Sequence, residues 1–393
     1  MSRVESWGLP DGFRVMIFTD TYAPQMNGVT RTLERLVRRV RECGGDVRVV
    51  TTGRGNGQPC ADEAIAERWP SLPFWRYDEL RISMPHLQRA RRSLEVFQPH
   101  VVHIATPFGV GLAARHATRQ LGIPAVSSYH TSFAAYASFY GLGSLTSAAS
   151  AFLRWFHNGT MRTYCPTRAI ENDLVREGFR NTAVWGRGVD TSLFNPAFRN
   201  DVLRLRLCAR PGDVIVAYVG RLAPEKGLDL AFEAVKLARS RAKSRVILAV
   251  AGDGPYANEC RSRAPFDTMF TGRLSGTALS AFYASADIFL FPSRTDTFGN
   301  VLLEAMASRL AVVAADSPPS RELLEWDSPG EIAGIVASPD AASVASELVR
   351  LADDPDVRRA LAASGYARAA TRTWDSAHAP LLADYATLAA GRR

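Results

Sequence analysis

Two pairs of charged residues in the second half of the chain have a spacing suited to binding phosphates and sugar hydroxyls. Arg221 and Lys226 lie five positions apart on a loop after an apolar run, so both cations can converge on one diphosphate. Asp296 lies on a later loop, and Glu304 lies eight positions further on, inside the helix that follows. Carboxylates of this kind accept hydrogen bonds from hydroxyl groups. The pattern suits a sugar nucleotide; a solvated charge pair and a capped helix with one buried acid are the plainer alternatives.

Predicted helix starts add backbone N–H groups to this pattern. One start comprises Phe298, Gly299, Asn300 and Val301. The N–H groups of a helix start have no partner inside the helix, so they can bind phosphate oxygens. Gly28 opens an earlier helix and lets an anion approach closely; a plain strand-to-helix turn is the alternative there. A Walker loop is excluded because GxxxxGK[ST] is absent, and the glycine-rich residues 53–57 open no apolar-periodic helix.

Short runs rich in Val, Ile and Phe alternate with amphipathic segments along the whole chain. Continuous apolar strands separated by helices are typical of a parallel sheet covered on both faces. The first half has predicted strands at residues 13–19, 46–51, 100–105, 124–129 and 182–185, and a helix at Val29–Cys43. The second half has predicted strands at residues 214–219, 245–251, 267–271, 287–291 and 311–315, with helices at about 227–240, 277–285 and 299–308. This alternation predicts two Rossmann-like domains in tandem.

The length of 393 residues is too great for one ordinary hydrophobic core. Asn195-Pro196 and Arg210-Pro211-Gly212 interrupt the chain where the first strand pattern stops, which places the seam near residues 188–213. We therefore expect an N-terminal Rossmann-like domain at residues 1–190 and a C-terminal Rossmann-like domain at residues 191–374. A C-terminal helix at residues 375–393 is expected to pack back toward the first domain.

The charge of the chain is uneven. Lys and Arg number 47 and Asp and Glu 39, giving +8, and residues 1–190 hold 23 basic against 16 acidic side chains.

Five scattered cysteines without a CxxC pair argue against a disulfide framework or a zinc site and fit a reducing cytosol. Neither a signal peptide nor an apolar span is visible. These features predict a soluble, cytoplasmic protein that contacts a membrane only at its surface.

Several ordered motifs together resemble the retaining GT-B glycosyltransferases, the large family that includes phosphatidylinositol mannosyltransferases, sucrose synthases and sulfoquinovosyltransferases. The motifs are Gly28, His130-Thr131, Gly188-Val189-Asp190, Gly220-Arg221-Leu222 with Lys226-Gly227, Ala251-Gly252-Asp253-Gly254-Pro255, and the stretch from Asp296 to Glu304. The resemblance covers nearly the whole chain. It implies that residues 1–190 form the acceptor-side domain and residues 191–374 the nucleotide-sugar-binding domain. It also implies an α/β, GT-B architecture in which two Rossmann-like domains with parallel sheets face a central cleft.

Two positions depart from the family's pattern. The first acid of the motif is usually Glu, whereas this chain has Asp296, which is one methylene shorter. Because Asp still offers two acceptor oxygens, we expect activity to survive with the sugar slightly displaced. A position that is usually Gly is Arg309 here, and the sequence alone does not explain it.

The same resemblance assigns roles to the residues that match the family's motifs. It implies that Arg221 and Lys226 bind the donor diphosphate and that Glu304 binds the ribose hydroxyls. The implied catalytic residues are His130, Asp296 and Glu304, with His130 near the far hydroxyls of the transferred sugar. Gly28 is implied to admit the phosphate or the acceptor, and the backbone of Arg273 and Leu274 to lie beside the nucleobase. Asp296 and the amides from Phe298 to Asn300 are implied to hold the transferred sugar, and the implied donor-binding residues at this helix start are Phe298, Gly299, Asn300 and Val301.

No metal or other cofactor is expected. Arg and Lys together with helix-start amides can neutralise the leaving diphosphate by themselves. The apparent Asp-x-Asp motif of Asp354-Pro355-Asp356 precedes a helical run and is interpreted as an N-cap.

The predicted helix at Val29–Cys43 is both amphipathic and basic. Its arginines are Arg31, Arg35, Arg38, Arg39 and Arg41. Such a face can lie against anionic headgroups, and a solvated helix is the alternative. The aromatic residues Phe133, Tyr136, Phe139 and Tyr140 could contact a lipid or glycan acceptor or pack in the core. No nucleic-acid recognition motif accompanies the basic excess.

These expectations define a metal-independent hexosyltransferase that moves a hexose from a nucleotide diphosphate donor to a hydroxyl of a glycolipid or glycan. The resemblance makes GDP-mannose with a glycolipid acceptor the first choice of substrates and UDP-glucose or another UDP-hexose the second choice of donor. This ranking rests on the resemblance alone, because nothing in the sequence separates guanine from uracil. Two rivals remain open: an inactive sugar-nucleotide-binding subunit, and a nicotinamide oxidoreductase, although a credible GxGxxG is lacking.

Overall fold

The computed structural model of the protein describes residues 9–25, 27–53, 65–74, 77–130, 146–325 and 332–391. The described residues divide into two compact units. The first contains the described residues up to 130 together with 146–186 and 375–391, and the second contains Arg187–Trp374.

The first unit is built on a seven-stranded sheet and a small hairpin. The nine strands are β1 (Arg14–Phe18), β2 (Asp46–Thr52), β3 (Ala66–Trp69), β4 (Ser71–Phe74), β5 (Tyr77–Ser83), β6 (Val101–Ile104), β7 (Ala125–Ser128), β8 (Arg162–Cys165) and β9 (Thr182–Val184). The large sheet has the order β3-β2-β1-β6-β7-β8-β9, and its neighbouring strands are parallel. β4 and β5 pair antiparallel as a separate two-stranded sheet.

Helices cover both faces of the large sheet. They are α1 (Gly28–Glu42), α2 (Leu87–Phe97), α3 (Gly109–Leu121), α4 (Thr146–His157) and α5 (Arg168–Arg176). Side chains alternate along β1, so Val15 and Ile17 pack with α1, whereas Met16 and Phe18 pack with the cluster that includes α2, α3 and Phe156 of α4. The strands are apolar on both sides because both sides are buried.

The second unit repeats this scheme with a six-stranded parallel sheet. Its strands are β10 (Val214–Val219), β11 (Val246–Ala251), β12 (Met269–Gly272), β13 (Ile288–Phe291), β14 (Ala311–Ala315) and β15 (Ile335–Ala337), in the order β12-β11-β10-β13-β14-β15. Its helices are α6 (Asp201–Arg206), α7 (Leu228–Arg241), α8 (Ala257–Arg263), α9 (Gly276–Ser285), α10 (Asn300–Ala307), α11 (Pro318–Leu324), α12 (Ala341–Asp353) and α13 (Pro355–Thr371). The predicted parallel sheets are thus confirmed in both halves.

The last helix, α14 (Trp374–Ala390), packs on the sheet of the first unit. Leu381, Leu382 and Tyr385 join the apolar cluster of β1 and α1. The chain passes from the first unit to the second between Gly186 and Arg187. Val189 bridges to Thr373 and donates its N–H to the carbonyl of Arg372, so the segment after Gly186 is tied to the second unit.

Candidate active site

The second sheet reverses its strand order between β10 and β13, which are hydrogen-bonded neighbours. In open α/β sheets, the loops at the carboxyl ends of the strands diverge at such a point and leave room for a ligand. The loop after β10 carries Arg221 and Lys226, and the loop after β13 carries Asp296. Residues 70 positions apart in sequence are therefore brought to one edge of the sheet.

Lys226 and Asp296 form an ion pair at this edge. Lys226 Nζ lies 2.7 Å from Asp296 Oδ1, and both side chains are largely buried, at 15% and 25% exposed. Burial by itself raises the pKa of the Asp296 carboxyl, but the charge and the hydrogen bond of Lys226 together bring it below its ordinary value. Asp296 is therefore an anion, paired with the cation expected to bind the donor.

Backbone contacts fix the two loops to each other. The hydroxyl of Thr295 donates to the carbonyl of Glu225 at 3.1 Å. Gly227, which ends the short 3-10 helix Pro224–Lys226, has φ +71°, and a Cβ there would lie 2.5 Å from the carbonyl oxygen of Pro292. Only a glycine fits this approach without displacing the backbone, so Lys226 is held at a defined distance from the second loop.

Arg221 is half-buried beside the same edge. Burial lowers the pKa of its guanidinium, and the charge of Glu225 opposes that shift. The buried Tyr218 donates its hydroxyl proton to the carbonyl oxygen of Arg221 at 3.0 Å. Burial also raises the pKa of that phenol well above its usual range, and the charge of Asp296 adds to the effect. Tyr218 therefore stays protonated and anchors the backbone of the arginine.

The start of α10 supplies N–H groups next to Asp296. Gly299 is the N-cap residue with φ +82°, a left-handed conformation that glycine adopts without strain, and the helix begins at Asn300. Phe298 and Gly299 are buried, whereas Asn300 and Val301 are half-buried. Within the described part of the chain, Asn300 Oδ1 is buried with no hydrogen-bond partner. The helix start thus offers both N–H donors and one unused acceptor.

Glu304 lies one turn further along α10 and is buried. The hydroxyl of Tyr283, on α9, donates to Glu304 Oε2 at 2.9 Å, and Tyr283 is itself fully buried. A buried phenol that donates to a carboxylate fixes the rotamer of that carboxylate. Sequence reasoning missed Tyr283, because an aromatic residue in a predicted apolar helix gives no sign of a partner 21 positions away.

Arg273 and Leu274 lie on the loop between β12 and α9, at the same carboxyl edge. Arg273 is exposed, and Leu274 is half-buried against the core of this unit. The structure therefore places every predicted donor-binding residue of the second unit at one edge of one sheet.

The first unit has a corresponding point between β1 and β6, where its strand order reverses. Gly28 is the exposed first residue of α1, capped by Asn27, whose side chain accepts from the N–H of Thr30. Asp20, at the carboxyl end of β1, accepts from the hydroxyl of Thr106 at 2.6 Å.

Asp20 holds the neighbouring loop and helix together. It also accepts from the N–H of Val110 in the first turn of α3 at 3.2 Å. Burial raises the pKa of Asp20 to about 6, against the opposing hydrogen bonds of Thr106 and Val110. Asp20 was not singled out from the sequence, although a lone acid directly after an apolar strand was a visible signal.

His130 follows β7 and is half-buried. Its ring packs edge-to-face on the indole of Trp185, with the ring centroids 5.9 Å apart. The aromatic residues predicted to follow it, Phe133, Tyr136, Phe139 and Tyr140, lie outside the described residues, as do most of the glycine-rich residues 53–57.

Two sequence features not yet placed have a structural explanation. Arg309 has φ +64°, directly after the C-cap of α10, so a position that favours glycine carries an arginine in the left-handed conformation. Asp354 is confirmed as the N-cap of α13, accepting from the N–H groups of Asp356 and Val357. Among the described residues, no group of three or more His, Cys, Asp and Glu side chains is arranged to hold a metal ion.

Comparison with family models gives matches to both halves of the chain. Residues 26–193 match the model for Glycosyltransferase Family 4, and residues 213–354 match the model for Glycosyl transferases group 1. The two matched regions include the first residue of α1, His130, and the loops that carry Arg221, Lys226 and Asp296.

Individual proteins support the same assignment. A GDP-mannose-dependent alpha-mannosyltransferase from Mycolicibacterium smegmatis is 36% identical over 79% of this chain and 82% of its own length. An alpha-monoglucosyldiacylglycerol synthase from Streptococcus pneumoniae is 28% identical over 78% of this chain and 71% of its own length. Among solved structures, sucrose-phosphate synthase from Thermosynechococcus elongatus superposes with a TM-score of 0.74 at 17% identity, over 96% of this chain and 100% of that chain.

The matches to both halves, the 36% identical relative and the two parallel sheets agree with one another. The chain belongs to glycosyltransferase family 4 of the group 1 glycosyltransferases, and it is a retaining hexosyltransferase with the GT-B fold.

Proposed function

We propose that this enzyme transfers mannose from GDP-mannose to a hydroxyl of a glycolipid, with retention of the anomeric configuration. The main support for placing the donor site here is the Lys226–Asp296 ion pair. It joins two loops at the point where the strand order of the second sheet reverses. The choice of GDP-mannose is supported by the name of the 36% identical relative, a GDP-mannose-dependent alpha-mannosyltransferase. The choice of a lipid acceptor is supported by the diacylglycerol product in the name of the 28% identical relative.

On this proposal, Arg221, Lys226 and the N–H groups at the start of α10 neutralise the departing diphosphate. Arg221 supplies a planar fork of donors and Lys226 a compact charge, both held by loop contacts before any donor arrives. Preorganised charges in a partly buried site stabilise a leaving anion without reorganisation during the reaction. Neutralisation by these groups requires no metal ion.

Asp296 and Glu304 then bind hydroxyl groups. Asp296 would release Lys226 to the diphosphate and accept from the transferred sugar, and Glu304 would accept from the ribose in the orientation set by Tyr283. His130 and Gly28, in the first unit, are proposed to act on the sugar's far hydroxyls and on the phosphate or acceptor.

The donor base is tested by thermal-shift titration of the protein with GDP, UDP and their sugar conjugates. We expect GDP-mannose to give the largest rise in melting temperature. A ligand that binds only the folded state stabilises that state more strongly the more tightly it binds. A larger shift with UDP-glucose would establish the second candidate, which the glucosyl name of the 28% identical relative favours. No shift with any nucleotide would contradict a donor site of this kind.

The site assignment is tested by Lys226→Ala. Loss of a hydrogen bond to a charged group should weaken donor binding by about 1.5–3 kcal/mol. Lys236→Ala is the matched control, since Lys236 lies on α7 of the same unit and its ammonium lies 2.7 Å from the carboxylate of Glu233 on the same helix. Equal donor affinity of the two variants would remove Lys226 from the site.

The enzyme is further proposed to work at the cytoplasmic side of an anionic membrane, through the basic first unit. No helix among the described residues is long and apolar enough to cross a bilayer. Helix α1, with Arg31, Arg38 and Arg41 exposed on its outer side, is the contact predicted from the sequence.

A further inference from the structure

The large sheet of the first unit has two outward surfaces of different chemistry. One is formed by α1 and α14, which pack over Val15 and Ile17. The other is formed by α2, α3 and α4, which pack over Met16 and Phe18. Because the two layers cover opposite faces of one sheet, a flat membrane can lie along the outward side of only one of them.

The α1 side is basic, but its charges are partly compensated and it lacks apolar anchors. Arg39 lies 3.6 Å from Glu42 and 3.5 Å from Asp375, at the start of α14. Among the described residues, no exposed large apolar side chain lies on α1 or α14. The apolar side chains Leu33, Leu36, Val37 and Val40 of α1 are buried against the core. This surface therefore offers cations without anything to insert between lipid headgroups.

The opposite side has exposed aromatic residues on α4. Trp155 is 54% exposed and Phe152 is 36% exposed, and their ring centroids are 5.9 Å apart. The two lie three positions apart, so they share one face of the helix. An exposed pair of aromatic side chains is typical of an interaction site, because covering a Trp or Phe ring removes a large apolar area from water.

Arginines of α3 lie beside these rings. The guanidinium of Arg115 stacks over the Trp155 ring at 3.9 Å and donates to the carbonyls of Phe156 and Trp155 at 3.1 and 3.3 Å. Arg119 is exposed one turn further along α3. Burial lowers the pKa of Arg115, and the charge of Arg119 adds to the effect. The two cations are therefore close enough to repel each other.

The stretch of sequence that contains α3 and α4 has no acidic residue. From residue 96 to residue 170 the sequence has no Asp or Glu, while it has Arg115, Arg119, Arg154, Arg162 and Arg168. Helices α3 and α4 lie entirely within this stretch. Arg162 pairs with Asp384 of α14, so the positive charge next to the exposed Trp155 comes from Arg115 and Arg119. Cations beside an exposed Trp are complementary to anionic headgroups, because Trp and Arg both settle at the level of the headgroups.

We infer that the enzyme docks on anionic lipid through the outward side of α3 and α4, which we call the Trp155 face: Arg115, Arg119, Phe152 and Trp155. This inference rests on the proposed action at a membrane, and it replaces α1 as the contact surface. Trp155 enters the headgroup region, Arg115 holds its ring in place, and Arg119 binds lipid phosphates or carboxylates.

The test is co-sedimentation of the full chain with phosphatidylcholine vesicles that contain or lack phosphatidylglycerol. Arg119→Glu removes one attraction and adds one repulsion, so vesicle binding should weaken about 30-fold. Trp155→Ala should weaken it about tenfold by removing the apolar anchor. The matched control is the double variant Arg38→Glu and Arg41→Glu on α1, which reverses more charge on the opposite face and should bind vesicles more tightly than Arg119→Glu.

Three results would overturn the inference, and they differ in what else they affect. Weakened binding of the α1 variant, with Arg119→Glu and Trp155→Ala unchanged, would place the membrane on α1 and leave the proposed function intact. An oligonucleotide that binds the wild type but neither Arg119→Glu nor Trp155→Ala, together with vesicle binding that does not depend on phosphatidylglycerol, would assign the face to nucleic acid. If the wild type bound neither kind of vesicle, the proposed action at a membrane would be wrong. GDP titration of the same preparation tests the donor site separately.

Discussion

Tyr283→Phe tests whether a buried phenol orients the carboxylate proposed to bind the ribose. The hydroxyl of Tyr283 donates to Glu304 Oε2 at 2.9 Å, and both side chains are buried. A hydrogen bond to a charged group contributes about 1.5–3 kcal/mol, which is a factor of about 10 to 150 in an equilibrium constant. In the variant, Glu304 keeps its charge but loses the bond that fixes its rotamer. Its hold on a ribose hydroxyl should therefore weaken.

The assay compares GDP with 2′,3′-dideoxy-GDP by isothermal titration, because the second nucleotide lacks the hydroxyls that Glu304 would bind. The wild type should prefer GDP by about tenfold or more, and Tyr283→Phe should reduce that preference by about tenfold while leaving the dideoxy affinity nearly unchanged. A general loss of packing would weaken both nucleotides equally, so the ratio separates positioning from structure.

Tyr366→Phe is the control, since Tyr366 is an exposed residue of α13 in the same unit. The reasoning is refuted if Tyr283→Phe discriminates between the nucleotides as well as the wild type does. If the wild type itself binds both nucleotides equally, the error lies earlier, in the assignment of Glu304 to the ribose.

Three other predictions follow from particular residues. Activity should persist after EDTA treatment, because Arg221 and Lys226 can neutralise the diphosphate; loss that only Mg²⁺ or Mn²⁺ restores would contradict this. Arg309→Gly should raise the free energy of unfolding by about 1 kcal/mol in urea titration, since the left-handed conformation strains any side chain at φ +64°; an unchanged or lower value would show that Arg309 has a stabilising contact. Asp20 has a folded-state pKa of about 6, above its ordinary 3.8, so its contribution to stability is present below about pH 4 and is lost as the pH rises through 6. The free energy of unfolding of the wild type relative to Asp20→Asn should therefore fall by about 3 kcal/mol at most between pH 4 and pH 7, and a flat difference would show that burial does not raise this pKa.

The ten predicted strands were found within two residues of their positions because they are apolar runs. Eight of them are largely buried, whereas β9 and β12 lie at the edges of their sheets and are half-buried. The strands that were missed are short or polar. β8 lies inside the sheet, but its residues include Thr163 and Tyr164. Tyr164 is buried, and its hydroxyl donates to Asp384 on α14 at 2.5 Å. A strand whose polar groups are satisfied 220 positions away has no local signature.

Only part of the candidate site, too, could be predicted from the sequence. Loop chemistry was readable from the sequence, since the strand-to-helix loops carry Arg221, Lys226 and Asp296 in a recognisable order. Their partnerships were not, because the side-chain contact between Lys226 and Asp296 spans 70 positions and depends on β10 and β13 being neighbours. The order of strands in a sheet is a tertiary property, which no spacing within one loop specifies.

The ion pair has a consequence for the kind of ligand that the proposed donor site accepts. With the site empty, Lys226 and Asp296 neutralise each other in a largely buried position, where either charge alone would be costly. A diphosphate without a sugar could bind Lys226, but Asp296 would then lose its partner. A free sugar could bind Asp296, but Lys226 would then lose its partner. With the roles proposed above, an intact sugar nucleotide would satisfy both groups at once, with the phosphates on Lys226 and a hydroxyl on Asp296. The pair therefore favours the complete donor over either of its fragments, because only the complete donor replaces both halves of the interaction that it breaks.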